Sequence, residues 1–320
     1  MKVVVGVFAA PVWTLPSRHV DTLRAAFPDV AFEECRTHEA LDAGIVDADI
    51  AFSSVVRENT FARARALRWI HSSAAGVGGT LFPALIESNV VLTNSRGLQT
   101  AAIAEHILSV VLAWRRGLPI AARRQVARIW AQDELFAAPA PAPALRETRA
   151  LVVGMGSIGG EAARLLRAVG MHVDGVVRHP RDGAYGVDRL PQLLPSSDIV
   201  IITAPHTPET DRLFDRRMLA AMKPGSLLVN VGRGRIIDEA ALIEALHQGR
   251  PGAAALDVFE REPLPPDSAL WEMENVFVTP HIAGFSARFW ENTVELFARN
   301  LERWRRGEPL ENVVDKQRGY

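Results

Sequence analysis

The sequence predicts an α/β protein with two domains, each built on a parallel β-sheet. The 320 residues contain two series in which apolar runs short enough for strands alternate with helical patterns. A glycine-rich turn lies between a strand and a helix at the start of the second series, and polar residues follow three of its later strands. Repeated strand–helix alternation is typical of parallel sheets covered by helices. A chain of this length is long for one domain and comfortable for two.

The first series occupies residues 2–98 and contains no glycine fingerprint of its own. The predicted strands lie at 3–8, 50–52, 69–71 and 90–92, and the predicted helices at 17–27, 59–66 and 80–88. A run of small residues, Ser72 to Gly79, follows the third strand. Its open backbone N–H groups could hold a small carboxylate, although a plain strand-to-helix turn is the alternative.

The helix predicted at 101–114 is too apolar to stand exposed, so it is either a core helix or part of a subunit interface. The arginines that follow it, from Arg115 to Arg128, fit a solvated helix face. Alternating Ala and Pro at 137–144 predict a stiff, extended arm.

The second series begins with the glycine-rich turn. A strand at 150–153 breaks at Gly154, Gly156 and Gly159, and a helix and a second strand at 173–177 follow. In such a unit the first glycine makes the tight turn, the second admits a pyrophosphate and the third lets the helix pack on the strand. The N–H groups at the helix N-terminus suit phosphate. The turn therefore predicts a dinucleotide-binding domain, with further strands at 199–203, 226–231, 253–258 and 276–279 and helices at 208–221 and 239–248. One more amphipathic helix is predicted after this domain, at 287–305.

The residues after the second strand bear on which dinucleotide is bound. NAD-binding units usually carry a carboxylate roughly 20 residues beyond the glycines, where it accepts from the ribose 2′-hydroxyl. Here that strand runs into Val177 and Arg178 with no carboxylate. A guanidinium suits a 2′-phosphate, whereas the alternative is an ordinary solvated arginine. The sequence favours NADP(H) over NAD(H).

Three polar residues follow three strands of the second series: Arg233, Glu262 and His281. Because ligands of open parallel sheets bind beyond the carboxyl ends of the strands, these side chains are candidates for one site. An imidazole can donate a proton to a substrate carbonyl, and a neighbouring carboxylate can orient it and stabilise its charged form. A guanidinium can bind a substrate carboxylate and polarise the carbonyl. The set suits reduction of a 2-keto acid and requires no metal.

The composition argues against nucleic acids and anionic membranes as binding partners. Lys and Arg number 36 and Asp and Glu 37, so the net charge of −1 gives no general attraction to nucleic acid or to an anionic membrane. A single cysteine, Cys35, excludes a disulfide framework and a cysteine-based zinc site and fits a reducing compartment. The N-terminal apolar run is too short for a signal peptide, and no run approaches a membrane span. We expect a cytoplasmic protein.

Several motifs in order resemble the D-isomer-specific 2-hydroxyacid dehydrogenase family. They are Gly154-Met-Gly-Ser-Ile-Gly159, Pro205-His-Thr-Pro-Glu-Thr210, Asn230-Val-Gly-Arg-Gly234, Ala255-Leu-Asp-Val-Phe259 with Glu262-Pro263, and Thr279-Pro-His-Ile-Ala-Gly284, with Ala75-Gly-Val-Gly78 as a weaker match. The resemblance implies two Rossmann-like or flavodoxin-like domains with the active site in the cleft between them. It also implies that Arg233, Glu262 and His281 are catalytic.

The resemblance further implies a discontinuous substrate domain, residues 1–98 and 285–320. The cofactor domain is then residues 99–284, including a dimerisation helix and arm at about 99–149, and the protein is expected to be a homodimer. The implied substrate-binding residues besides Arg233 and His281 are Ser73, Ala74, Ala75, Gly76 and Val77. The implied cofactor-binding residues are Gly154, Met155, Gly156, Ser157, Ile158, Gly159, Arg178, His179, Arg181, Ala204, Pro205, Val231, Gly232 and Asp257.

Arg178 stands where NAD-using members carry Asp, which is similar to the glyoxylate/hydroxypyruvate reductase branch. The predicted reaction is therefore NADPH-dependent reduction of a small 2-keto acid to the D-2-hydroxy acid. The alternatives are a dinucleotide-sensing interaction protein of the same fold and a formate- or phosphite-type dehydrogenase. Arg57 could add a second anion contact, and Trp130 and Trp290 could line the pocket or serve a core or an interface. His206 stands at a position that is often Leu in the family.

Overall fold

The computed structural model describes residues 1–8, 11–137, 144–180 and 183–319. The chain divides into two compact units, Met1–Leu98 with Ser286–Tyr320, and Gln99–Phe285. Residues 138–143 of the predicted arm, and the predicted cofactor residue Arg181, lie outside the described residues. In the part of the chain that is described, no helix combines the length and the apolar character needed to cross a bilayer.

The first unit contains a five-stranded sheet in which every neighbouring pair is parallel. Its strand order, β2-β1-β3-β4-β5, is the flavodoxin-like order. The predicted fold class is confirmed in this unit, whose strands are β1 (Lys2–Gly6), β2 (Ala31–Glu34), β3 (Ile50–Ser53), β4 (Trp69–His71) and β5 (Val91–Thr93).

The sequence analysis missed β2 and the helix that follows it. The strand lies at the sheet edge and buries only Phe32 fully, so its four residues carry no apolar run. The helix predicted at 59–66 is much shorter than expected and ends at Phe61. The helices of this stretch are α1 (Ser17–Ala26), α2 (His38–Gly44), α3 (Glu58–Phe61) and α4 (Pro83–Glu87).

The second unit contains a seven-stranded parallel sheet, one strand more than predicted. The additional edge strand has two residues, which is too short to leave a pattern in the sequence. The sheet order is β12-β11-β10-β9-β6-β7-β8. Its strands are β6 (Arg149–Val153), β7 (His172–Val177), β8 (Tyr185–Gly186), β9 (Ile199–Ile202), β10 (Leu227–Asn230), β11 (Ala253–Leu256) and β12 (Val276–Val278).

The helices of the second unit are α5 (Thr100–Arg115), α6 (Leu118–Val126), α7 (Gln132–Ala137), α8 (Ser157–Ala168), α9 (Leu190–Leu193), α10 (Arg216–Ala220) and α11 (Glu239–His247). The apolar helix α5 buries Ile107 and Val111 in the core beside the sheet, so one of its faces serves the core of this unit. A role in a subunit interface stays a prediction.

The prediction of a helix at 208–221 is wrong for the first half of that range. The chain forms a turn there, in which the Thr210 hydroxyl accepts from Thr207 N at 2.8 Å and donates to Pro205 O at 2.8 Å. The helix α10 begins only after Asp215, whose carboxylate accepts from Met218 N at 2.8 Å and caps it. Side-chain hydrogen bonds of Thr and Asp to nearby backbone compete with helix formation in this way.

The last helix, α12 (Phe289–Arg306), belongs to the first unit and packs its apolar side into that unit's core. The ring of Phe297 stacks on Phe52 with centroids 4.4 Å apart and on Trp69 at 5.3 Å. Large aromatic side chains bury extensive apolar area, so this stack ties the C-terminal helix to the N-terminal sheet.

Candidate active site

The glycine-rich turn after β6 has two glycines that the fold itself requires. Gly154 has a φ of +105°, and a Cβ on it would lie 2.5 Å from Ala204 N. A Cβ on Gly159 would lie 2.1 Å from Gly154 O, so α8 can pack this closely only with glycine there. Met155 covers Gly175 of β7, and Ile158 contributes to the core.

Gly156 differs from Gly154 and Gly159, because no atom of the described residues lies within 4 Å of the position that its Cβ would occupy. Packing of the chain therefore does not require glycine here. Gly156 and Ser157 are exposed at the N-terminus of α8, which no side chain caps within the part of the chain that the structure describes. Uncapped N–H groups beside open space form a cradle that fits the pyrophosphate of a dinucleotide.

This difference gives a prediction. We expect Gly156→Ala to fold normally and to lose dinucleotide affinity by tenfold or more, because its methyl group occupies the cradle. Gly160→Ala, one helical turn along, is the matched control, since its Cβ would also meet no described atom within 4 Å. Alanine in the helix should stabilise that variant by about 0.5–1 kcal/mol. Thermal unfolding and fluorescence titration with NADPH make the comparison, and equal affinities in both variants would contradict the role of Gly156.

The backbone segments after β6, β9 and β10 come together around the turn. The hydroxyl of Thr203 donates to Gly154 O at 2.7 Å. A Cβ on Gly232 would lie 2.8 Å from Ala204 O. Three of the predicted cofactor residues, Gly154, Ala204 and Gly232, are thus neighbours at the carboxyl ends of adjacent strands. Pro205 and Val231 are next to them in sequence.

Arg178 lies directly after β7 and reaches the turn that replaces the predicted helix. Its Nη2 is 3.2 Å from Glu209 Oε1, and both side chains are more than half exposed. Nearby, His206 Nε2 is 2.7 Å from Asp211 Oδ1, a contact that lowers the pKa of Asp211. This contact gives His206 a structural role that the sequence analysis did not predict. His179 is exposed beside Arg178.

Arg233 follows β10 on a tightly held segment. Its Nη1 donates to Gly232 O at 2.7 Å, and Asn230 Nδ2 donates to the Arg233 carbonyl at 3.1 Å. A Cβ on Gly234 would fall 1.8 Å from Phe259 C, so only glycine allows this segment to lie against the loop after β11. Burial lowers the pKa of the Arg233 guanidinium and the charge of Glu262 opposes the change. An arginine nevertheless keeps its charge at neutral pH.

Glu262 and His281 form a direct pair, with Glu262 Oε2 2.6 Å from His281 Nδ1. The other oxygen of Glu262 accepts from Phe259 N at 3.0 Å. Burial has the largest effect on the Glu262 pKa and raises it. The hydrogen bond and charge of His281, the Phe259 N–H and the charge of Arg233 together outweigh burial and hold the pKa below its ordinary value. The carboxylate is therefore ionised at neutral pH.

His281 has a φ of +54°, which is uncommon for a residue with a side chain. The backbone conformation is held by Asp257, which is 2% exposed and whose carbonyl accepts from His281 N at 2.9 Å. The Asp257 carboxylate accepts from the Thr279 hydroxyl at 2.6 Å, Ile282 N at 2.9 Å and Ala283 N at 3.0 Å. An unusual conformation that the surroundings over-determine is a feature of functional sites.

The structure thus joins two of the three predicted catalytic side chains and places the charge of the third close enough to act on Glu262. The sequence analysis missed the part of Asp257 in holding the segment of His281. It also missed His106 on α5, whose Nε2 is 3.4 Å from the Thr279 hydroxyl. The catalytic and cofactor-binding roles predicted from the sequence stay predictions. The described residues contain no cluster of His, Cys, Asp and Glu able to hold a metal ion.

The predicted substrate loop lies in the other unit, after β4. Ser73 and Val77 are buried there, and Asn94 Nδ2 donates to Ala75 O at 2.6 Å. Trp290 packs in the core of that unit, whereas Trp130 of the second unit is 88% exposed. Neither observation tests a role in substrate binding.

A glycine-rich turn between a strand and a helix, at the carboxyl end of a parallel sheet, is typical of dinucleotide-binding α/β domains. A family model for the D-isomer specific 2-hydroxyacid dehydrogenase NAD binding domain matches residues 108–283. The chain belongs to this family.

The chain is 30% identical to a glyoxylate reductase of Pyrococcus furiosus over 95% of this chain and 94% of that protein. It is 34% identical to a D-3-phosphoglycerate dehydrogenase of Archaeoglobus fulgidus over 79% of this chain, but it spans only 48% of that protein. Among solved structures, an NADPH-dependent glyoxylate/hydroxypyruvate reductase of Sinorhizobium meliloti in complex with NADP and sulfate superposes with a TM-score of 0.84. That match has 28% identity and covers 100% of both chains.

Proposed function

We propose that the protein reduces a small 2-keto acid, of the glyoxylate or hydroxypyruvate type, to the D-2-hydroxy acid with NADPH. The observation that carries the proposal is the Glu262–His281 pair at the sheet edge, with Arg233 acting on it. The likeness to a glyoxylate reductase and to an NADP-bound glyoxylate/hydroxypyruvate reductase supports the choice of substrate and cofactor. When bound, the nicotinamide supplies the hydride.

His281 has the role of proton donor. The Glu262 carboxylate accepts a hydrogen bond from His281 Nδ1 and fixes the orientation of the ring. The opposite nitrogen, Nε2, then donates its proton to the substrate carbonyl oxygen. The lowered pKa of Glu262 keeps the carboxylate negative beside the imidazolium. After the transfer the imidazole is neutral and the substrate oxygen is a hydroxyl.

Arg233 has the role of binding and polarising the substrate. Its bond to Gly232 O orients the planar guanidinium. A guanidinium can bind a carboxylate through two parallel hydrogen bonds and can stabilise the negative charge that develops on the carbonyl oxygen.

The preference for NADPH is assigned to Arg178. We expect Arg178→Ala to weaken NADPH by roughly 10- to 100-fold, the loss typical of a charge-assisted hydrogen bond, and to leave NADH nearly unchanged. Arg217→Ala removes another exposed arginine of the same unit and is the control. The dissociation constants of NADPH and NADH, measured for both variants, test this assignment. Equal losses for NADPH and NADH would show that Arg178 does not contact the 2′-phosphate.

An initial-rate screen of glyoxylate, hydroxypyruvate, pyruvate and phenylpyruvate with each cofactor tests the activity itself. We expect glyoxylate or hydroxypyruvate with NADPH to give the highest kcat/KM. Tight NADPH binding with no oxidation by any of the four acids would instead favour a dinucleotide-sensing protein of the same fold.

A further inference from the structure

The ion pair between Arg178 and Glu209 joins the two sides of the glycine-rich turn. In the sheet, β6 lies between β7 and β9. Arg178 directly follows β7, and Glu209 lies on the turn after β9. Their charged groups are 3.2 Å apart. The pair therefore spans the carboxyl end of β6, where the adenosine half of a dinucleotide is expected to bind.

The backbone holds Glu209 in this position. The turn that carries it is fixed by hydrogen bonds between the Thr210 hydroxyl and the backbone. A hydrogen bond of the Thr207 side chain has the largest effect on the pKa of the Glu209 carboxyl and lowers it, and the charge of Arg178 acts in the same direction. Glu209 is therefore negatively charged at neutral pH.

Neither charge has a second ion-pair partner in the part of the chain that the structure describes. The next carboxylate along the turn, Asp211, is paired instead with His206 at 2.7 Å and with Arg235 at 3.2 Å. Glu209 is thus the acidic group that faces Arg178.

The pair contributes little to folding, because both side chains are more than half exposed. Ion pairs in water are weakened by solvent and by salt, and many have no measurable effect on stability. Arg178 can consequently leave Glu209 for a ligand at little cost. For the same reason, the charge of Glu209 can be removed without unfolding the protein.

A 2′-phosphate at Arg178 meets the charge of Glu209. Such a phosphate carries about −1.5 to −2 charges at neutral pH. To bind the guanidinium it has to displace the Glu209 carboxylate or to lie beside it, and either arrangement weakens binding because like charges repel. The ribose 2′-hydroxyl of NADH is neutral and can donate a hydrogen bond to a carboxylate. Glu209 thus opposes NADPH and does not oppose NADH.

We propose that Glu209 is a residue that determines cofactor specificity, by opposing the 2′-phosphate that Arg178 attracts. The two side chains together give a smaller preference for NADPH than Arg178 would give alone, and they leave NADH usable. The inference rests on the proposed function, from which it takes the contact between Arg178 and the 2′-phosphate.

Glu209→Gln removes the charge and keeps the size of the side chain. We expect the dissociation constant of NADPH to fall about three- to tenfold and that of NADH to stay the same or to rise. Glu295→Gln is the matched control, because Glu295 forms a similarly exposed ion pair with Arg288 at 3.1 Å in the first unit. Fluorescence titrations at low and at high salt measure both constants. The gain for NADPH should shrink at high salt, where charges are screened.

A second comparison tests whether the ion pair is responsible. Glu209→Gln in the Arg178→Ala background should improve NADPH affinity less than in the unmodified protein, since the phosphate then lacks the contact that draws it towards Glu209. Equal gains in the two backgrounds would overturn the proposal. An unchanged ratio of the two dissociation constants in Glu209→Gln, or the same change in Glu295→Gln, would overturn it as well.

Competition with NADPH locates the effect at the adenosine end. Glu209→Gln should tighten 2′,5′-ADP by the same factor as NADPH and leave 5′-AMP unchanged, whereas equal changes for both competitors would contradict the proposal. These binding measurements do not depend on turnover. A raised preference for NADPH in Glu209→Gln with no reduction of any 2-keto acid would refute the proposed function and support the inference. An active enzyme whose cofactor preference does not depend on Glu209 would do the opposite.

Discussion

Replacing His281 with Asn should lower kcat for 2-keto acid reduction by roughly 10²- to 10⁴-fold, the usual contribution of a general acid. Asparagine is the informative replacement, because position 281 has a φ of +54° and Asn adopts this conformation more readily than Ala. The dissociation constant of NADPH should change little, since the glycine-rich turn and Arg178 are untouched.

Steady-state kinetics and a fluorescence titration measure the two quantities on one preparation. His247→Asn, which changes an exposed histidine at the end of α11, is the control and should behave like the unmodified protein. A kcat within a few fold of normal in His281→Asn would exclude His281 as the proton donor. A parallel loss of NADPH affinity would instead indicate that the segment held by Asp257 had collapsed.

Replacing Arg233 with Gln should lower kcat/KM by about 10³-fold or more, because one side chain is assigned both the substrate carboxylate and the developing charge on the carbonyl oxygen. Arg233→Lys retains a positive charge beside Glu262 but cannot bind a carboxylate through two parallel bonds, so we expect only partial recovery. Since the interaction acts in binding and in the transition state, both KM and kcat should change.

The control for Arg233 is Arg261→Gln, which removes an exposed arginine next to Glu262 in sequence. Initial rates over a range of glyoxylate concentrations give both constants. If Arg233→Lys were fully active, charge alone would be sufficient and the bidentate role would be wrong. If Arg233→Gln changed KM but not kcat, Arg233 would contribute binding without stabilising the transition state.

The fold was predictable wherever burial leaves a long apolar pattern. The strands on both sides of the glycine-rich turn and the apolar stripe of α12 were found because each buries several consecutive or regularly spaced side chains. The edge strands β2 and β8 were missed because edge position and short length remove that pattern. The turn before α10 was missed because Thr and Asp hydrogen bonds, which periodicity does not report, end the helix early.

The site was predictable as a set of residue types at strand ends, and the sequence correctly suggested a pairing of Glu262 with His281. It did not indicate that Asp257 would hold the backbone of His281, since three hydrogen bonds to a later segment depend on the register between β11 and β12.

The central claim is that these side chains carry out a stereospecific reduction of a 2-keto acid, and the product tests it most directly. Hydroxypyruvate is incubated with NADPH and the protein, and the consumed cofactor and the enantiomers of glycerate are quantified. The account predicts one D-glycerate for each NADPH oxidised. It also predicts that His281→Asn forms almost no glycerate in the same time. Formation of L-glycerate, or oxidation of NADPH without glycerate, would contradict it.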